Sequence, residues 1–420
     1  MRICLLSPDR YPANGYPTDP RIALEARGLR DAGHDVVLVC RGDETEAGRE
    51  IVSDLDVDRL PVDASPFDTA GTPEEIGYAA TNTHSAFESA VSRIEEEAPI
   101  DAVHVHGLAL AKTGLDAAED IGVPAVLDFA ADPVARLAGR RQTRRTRALV
   151  GRPAALASRA LTSTRRLRSL EADYVARADR IVVACEEARA RYVRDRDRDV
   201  SSEEVRVVRS TVDLAAFDVA SERSPIGLDF SPDDEFVATY AGPIVPDRGL
   251  GVLVDALAQV AEVLPDARCV VVGRGPAEYE EDLRERASRA GVNDRLTIAT
   301  RAEPADVPAY LALCDVSVLP FPESEYAETA LPGTLFGSFA AGTPAVVGDV
   351  SPLRRVVTRA DAGIVASESH TDLAAALRVL ARDPERAAAL GVNGRRASEP
   401  GGKFDAARDR LAVSRLYDEL

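Results

Sequence analysis

Short, continuous apolar runs separated by helical patterns recur along this chain in two sets. In the first half the runs are Ile3–Leu6, Val36–Cys40, Ala102–Val105, Ala125–Leu127, Ile181–Ala184 and Val205–Val208. In the second half they are Phe236–Ala241, Cys269–Val272, Leu296–Ala299, Val316–Leu319, Ala345–Val347 and Ile364–Ala366. A strand that is apolar at every residue, rather than at alternate ones, is buried on both faces. Such runs joined by helices predict parallel sheets with helices on each side, an α/β architecture. The spacing predicts one domain over 1–220 and another over 235–400, separated by the Ser-, Pro- and Asp-rich stretch Ser221–Asp234. A final helix within 401–420 follows the break Pro400-Gly401-Gly402.

A chain of 420 residues has enough length for two such cores. Its apolar runs are far shorter than the ~20 residues that span a bilayer. The opening MRICLLSPDR reads as a first strand rather than a secretion signal. The five cysteines form no CxxC pair and lie in or beside apolar runs, so buried, reduced thiols and a cytoplasmic setting are expected. Net charge is −19, and of 51 basic residues only Lys112 and Lys403 are lysines. Dense surface carboxylate with arginine in place of lysine suggests a salt-loving organism, and the acidity argues against general nucleic-acid binding. Pro133–Leu170 breaks the pattern with eleven arginines and no acidic residue.

The most informative stretch is Leu331–Val347, LPGTLFGSFAAGTPAVV, where a strand, a small-residue turn, a helix, a Gly-Thr-Pro break and another strand follow in order. Ahead of it come Tyr240-Ala-Gly242-Pro243 with Asp247-Arg248-Gly249-Leu250, then Val270-Val-Val-Gly273-Arg-Gly275-Pro276. In the first half stand Asp19-Pro-Arg21 with Glu25, His104-Val-His106-Gly107 and Pro124-Ala-Val-Leu-Asp128-Phe-Ala130. Together these resemble the family 4 glycosyltransferases, over nearly the whole chain. The resemblance implies the GT-B fold, with two Rossmann-like domains facing each other across a cleft and the last helix crossing back to the first domain.

It also implies functional residues. Arg248 takes the position of the family's phosphate-binding Lys and is the first candidate for stabilising the leaving diphosphate. Gly15, Gly242, Gly273 and Gly275 are expected where the backbone approaches the donor nucleotide. Thr334 and Leu335 open the helix that binds the donor, and Arg301 could add a positive charge. Glu328 lies one residue from the family's sugar-contacting carboxylate, whose spacing falls on Thr329. His106 and Asp128 are expected on the acceptor side. His104 and His106 point the same way on a strand, but the sequence offers no third ligand and the family needs no metal, so neither a metal nor a cofactor is expected. Arg159, Arg165, Arg166 and Arg168, interleaved with Leu156, Ala160, Leu167, Leu170 and Tyr174, resemble a basic amphipathic element that rests on anionic membranes.

Three family positions depart from the pattern: Ala130 replaces a His, Pro243 an Arg and Gly337 a Glu. The resemblance therefore implies either of two functions. One is a retaining transferase moving sugar from a nucleotide-diphosphate donor to a glycan or lipid-linked acceptor at the cytoplasmic membrane face. The other is an inactive GT-B protein that partners an active glycosyltransferase.

Overall fold

The computed structural model describes residues 1–11, 20–42, 47–62, 81–136, 138, 163–194, 200–225, 227–228, 230–232 and 235–420. They form two compact units. One is Met1–Arg209 together with Ala407–Leu420, and the other is Ser210–Ala406.

The first unit begins β1 (Arg2–Arg10), α1 (Pro20–Asp31), β2 (Asp35–Gly42), β3 (Gly48–Val52) and β4 (Leu55–Pro61). It continues through α2 (Ser85–Glu97), β5 (Ala102–His106), α3 (Leu108–Ile121) and β6 (Ala125–Phe129). Then come α4 (Thr164–Arg177), β7 (Arg180–Val183), α5 (Glu186–Arg194) and β8 (Val205–Val207). The strands form one sheet in the order β3-β4-β2-β1-β5-β6-β7-β8. All pairings are parallel except β3 with β4. The residues of β5 and β6 are buried throughout, as expected of strands covered on both faces.

The second unit holds α6 (Leu214–Ser221), β9 (Phe236–Ala241), α7 (Leu250–Ala261), β10 (Ala267–Val272), α8 (Ala277–Arg289) and β11 (Leu296–Ala299). It ends with α9 (Val307–Leu313), β12 (Val316–Leu319), α10 (Gly333–Ala341), β13 (Ala345–Gly348), α11 (Ser351–Ala360), β14 (Gly363–Ala366), α12 (His370–Arg382) and α13 (Pro384–Ser398). Its sheet is wholly parallel, in the order β11-β10-β9-β12-β13-β14. Side chains cap these helices at their starts. Asp213 accepts from the Ala216 N–H, Ser369 from Thr371 and Asp383 from Arg386. The last helix, α14 (Ala406–Asp418), buries Val413, Leu416 and Tyr417 in the first unit.

Among the described parallel strands, chain order reverses between β1 and β5 in the first sheet and between β9 and β12 in the second. In open α/β sheets ligands bind at the carboxyl ends of the strands at that switch.

Two expectations need correction. The first unit ends at Arg209, not at 220, because α6 sinks Phe217 into the second unit's core with Tyr310, Leu311 and Ala340. The β3–β4 hairpin has no counterpart among the expected strands. Its turn is made by Ser53 and Asp54, both in the left-handed region without a glycine, and β3 is exposed along most of its length. Neither feature leaves the usual sequence signal of a hairpin. All five cysteines are buried free thiols, and burial pushes Cys4, Cys269 and Cys314 up to about 12. Among the described residues no helix is long and apolar enough to cross a membrane.

Candidate functional site

At the second unit's switch point the chain after β9 turns back over the end of β12. Pro246–Arg248 form a single tight turn, and Gly249 follows with φ 73°. A Cβ on Gly249 would lie 1.9 Å from the Pro320 carbonyl, so only glycine lets the two segments touch. That contact sets Arg248 against the residues after β12. The guanidinium lies 4.9 Å from the Phe321 ring centroid and 4.5 Å from that of Tyr326. It donates to Asp247 Oδ2 at 3.0 Å and to the Tyr326 hydroxyl at 3.0 Å. Only 5% of Arg248 is exposed. Burial works against its charge, but Tyr326 and Asp247 outweigh burial and raise its pKa.

Thr334, in the first turn of α10, donates to the Ala241 carbonyl at 3.1 Å. It pins the start of that helix to the end of β9, beside Gly242. The switch point thus gathers Gly242, Arg248, Phe321, Tyr326 and Thr334.

Other expected donor residues have structural duties. The Gly242 N–H bonds to the Val272 carbonyl at 2.9 Å, and that of Ile244 to Arg274 at 2.9 Å, so the loops after β9 and β10 run side by side. A Cβ on Gly273 would meet the Gly242 oxygen at 1.9 Å, and one on Gly275 the Ile244 oxygen at 1.9 Å. Loop-on-loop packing therefore already requires glycine at both positions. The Leu335 side chain, expected at the donor, is fully buried in the core. Both oxygens of Glu328 accept from the Ser351 N–H at 3.3 Å, at the start of α11, where a carboxylate suits the helix dipole. Arg301 is exposed after the edge strand β11, with β10 between that strand and β9, so it is not brought to the switch. Gly15 lies outside the described residues.

Gly337 is buried in α10. A Cβ there would lie 3.0 Å from a Leu311 methyl and 3.6 Å from the Phe217 ring. A side chain at this position would thus start out against apolar neighbours from α9 and α6. The Pro243 carbonyl accepts from the Tyr240 hydroxyl at 2.8 Å.

The first unit's switch point carries a buried charge cluster. Arg21 and Glu25 stand i,i+4 on α1, and Asp128 is the register partner of His106 across the β5–β6 pair. Arg21 donates to both oxygens of Asp128, with Nη2 to Oδ2 at 2.7 Å, and its Nε lies 3.1 Å from Glu25 Oε1. It also donates to the Val208 carbonyl. Glu25 Oε2 lies 3.4 Å from His106 Nε2 and 3.7 Å from His104 Nε2, and Asp128 Oδ2 lies 3.8 Å from His104 Nε2. The two imidazoles stack at 5.0 Å, and His104 Nδ1 is 2.8 Å from the Tyr417 hydroxyl of α14. Arg21, Glu25 and His104 are fully buried, and His106 is 7% exposed. Burial drives the His106 pKa down to about 3. Burial would raise that of Asp128, but Arg21, with help from both histidines, holds it below the carboxylate range. His106 and Asp128 therefore do come together. Beyond the two histidines and Asp128, the sequence signals this cluster only through the i,i+4 spacing of Arg21 and Glu25, and nothing in it points to Tyr417.

The arginine-rich helix is corrected in part. Arg168 pairs with Asp132 at 2.8 Å and Glu171 at 3.2 Å, and Arg191 pairs with the same two carboxylates. Leu167 and Tyr174, expected to face a membrane, are buried in the first unit. Arg165 is exposed and Arg166 half-buried, while Arg159 lies outside the described residues.

Two family models match the chain: "Glycosyl transferase 4-like domain" over residues 19–211 and "Glycosyl transferases group 1" over 229–397. A curated relative, a GDP-mannose-dependent α-(1-6)-phosphatidylinositol monomannoside mannosyltransferase of Mycolicibacterium smegmatis, is 31% identical over 42% of this chain and 51% of its own length. The chain spans about half the length of the curated relatives it matches. Among solved structures, sucrose-phosphate synthase of Thermosynechococcus elongatus superposes with a TM-score of 0.74 at 18% identity, covering 100% of this chain and 98% of that one. Anabaena HepE, solved in complex with UDP-glucose, superposes at 0.70 with 16% identity and full coverage of both chains.

Proposed function

Because the chain belongs to the family 4 glycosyltransferases, proteins of the GT-B fold, we propose that it transfers a hexose from a nucleotide-diphosphate sugar to a glycan or lipid-linked acceptor with retention of anomeric configuration. The observation that carries this reading is Arg248 at the second unit's switch point, a charged guanidinium held by Asp247 and Tyr326 beside Gly242 and Thr334. An incoming diphosphate would replace the Asp247 contact and take the guanidinium as a bidentate partner, preorganised by the two aromatic rings. Charge growing on the departing diphosphate would then be met by a fixed cation at little reorganisation cost. The rest of the acceleration would come from holding donor and acceptor in line. Relatives bearing GDP-mannose in their names, and a neighbour solved with UDP-glucose, support a nucleotide sugar as donor.

A specific observation favours a second reading. Leu311 and Phe217 lie beside Gly337, the position of the family's carboxylate, and Ala130 cannot donate or accept a proton. A chain that binds the nucleotide without transferring sugar, and partners an active transferase, fits those departures.

Titration of UDP, GDP and dTDP into the protein in concentrated KCl, with Arg248→Ala beside it, separates these from a third outcome. Binding of one nucleotide that weakens about 10- to 150-fold in the variant, the worth of a charged hydrogen bond, supports a working donor site. Turnover of the matching nucleotide sugar then favours the transferase, and binding without turnover the inactive partner. Absence of binding by all three nucleotides sinks the donor-site reading.

A further inference from the structure

We propose that the cluster in the first unit is a site for a divalent transition-metal ion of the zinc type, held by Glu25, His104, His106 and Asp128 and serving to lock the unit together. One donor atom from each of these four buried residues lies within 4.8 Å of the others. Metal–ligand bonds of about 2.0–2.1 Å in a tetrahedron place neighbouring donors about 3.3–3.4 Å apart. Three of the six separations, 3.4 Å (His106 to Glu25), 3.7 Å (His104 to Glu25) and 3.8 Å (His104 to Asp128), lie close to that, and the other three are within 4.8 Å, so binding would draw the four donors together.

The second observation is the state of the histidines. Among the described residues, neither His104 Nε2 nor His106 Nε2 has an aligned hydrogen-bond partner, although both are buried and face carboxylate oxygens. Buried polar atoms are rarely left so. The opposite nitrogen of His104 is held by the Tyr417 hydroxyl, as an outer partner holds a metal-bound imidazole. Arg21 grips Asp128 and lies against Glu25 Oε1, leaving Glu25 Oε2 turned toward the histidines. In this arrangement Arg21 is an outer-sphere partner that orients the two carboxylates.

The donor set selects the ion. Two imidazoles argue against calcium or magnesium, which prefer oxygen ligands, and two carboxylates argue against a thiophilic ion. Four protein donors without an open position describe a structural site. The ion would fasten α1, β5 and β6 to one another, and through Tyr417 would fasten α14 to them. The proposal concerns the first unit alone and does not depend on the donor site.

The test uses Co2+ as a spectroscopic probe on the untagged full chain, stripped with EDTA and checked for native circular dichroism. One equivalent of Co2+ should give the visible absorption of a tetrahedral site, and Zn2+ should displace it. His106→Ala, at the most accessible ligand, should abolish the band, and exposed His370→Ala should leave it unchanged. Tyr417→Phe should keep the band and weaken affinity about 10- to 100-fold, the usual cost of an outer-sphere partner. No band in the folded wild type, or a band that survives in His106→Ala, overturns the proposal and leaves a proton shared within the cluster as its explanation. If stripping unfolds the protein, zinc content and X-ray absorption of the protein as purified decide. One equivalent with nitrogen and oxygen neighbours near 2.0–2.1 Å supports the site, and the lack of bound metal refutes it.

Discussion

Arg21 shows how one side chain can hold several elements. It is fully buried, binds Asp128 on β6, touches Glu25 on its own helix and reaches the Val208 carbonyl beyond β8. A buried ion pair need not be stabilising overall, but removing one partner strands the other in a medium that solvates it poorly. Arg21→Met should therefore destabilise the first unit by about 3–5 kcal/mol. Urea unfolding would read this, and the double variant Arg21→Met/Asp128→Leu should cost less than the sum of the two single changes. A fully additive result would mean that the contact at 2.7 Å carries no coupling. Arg248 differs, since it lies at the second unit's switch point against two aromatic rings, with Asp247 beside it as the paired carboxylate.

At the scale of elements, α10 shows what a side chain at Gly337 would meet. Its first turn is fixed by Thr334 to the end of β9, and its middle presses Gly337 against α9 and α6. Gly337→Glu should not restore a donor-site acid. It should bury an unpaired charge among Leu311 and Phe217 and destabilise the second unit by about 3–5 kcal/mol. Stable protein with gained transferase activity would show that those side chains yield and that the helix face is open to the donor. The loops after β9 and β10 allow a parallel prediction. Gly273→Ala places a methyl 1.9 Å from a backbone oxygen at φ 148°, so it should lower stability by about 1–3 kcal/mol, seen as a fall in Tm. It should do so with or without nucleotide, because the clash is between two loops of the protein itself.

For the whole molecule, chain order and compact unit do not coincide, since Ala407–Leu420 belong with the first unit after all of the second has intervened. Ending the chain at Ala406 should uncover the cavity left by Val413, Leu416 and Tyr417 and take away the partner of His104. Hydrogen exchange should then quicken in β5 and α1 while β9–β14 keep their protection, and equal protection in both units would refute the role given to α14. The near-continuous apolar runs determined the parallel strands of both sheets, because a strand buried on both faces is apolar at most positions. The family likeness of Leu331–Val347 was equally legible, as it rests on local strand, turn and helix signals. What the sequence could not reveal is contact across distance. Glu25 and Tyr417 are far apart in the chain yet both meet His104, and Leu311 with Phe217 lies beside Gly337. Those outcomes depend on sheet register and helix docking, where a few ångströms separate a ligand from a spectator, and only the folded chain sets such distances.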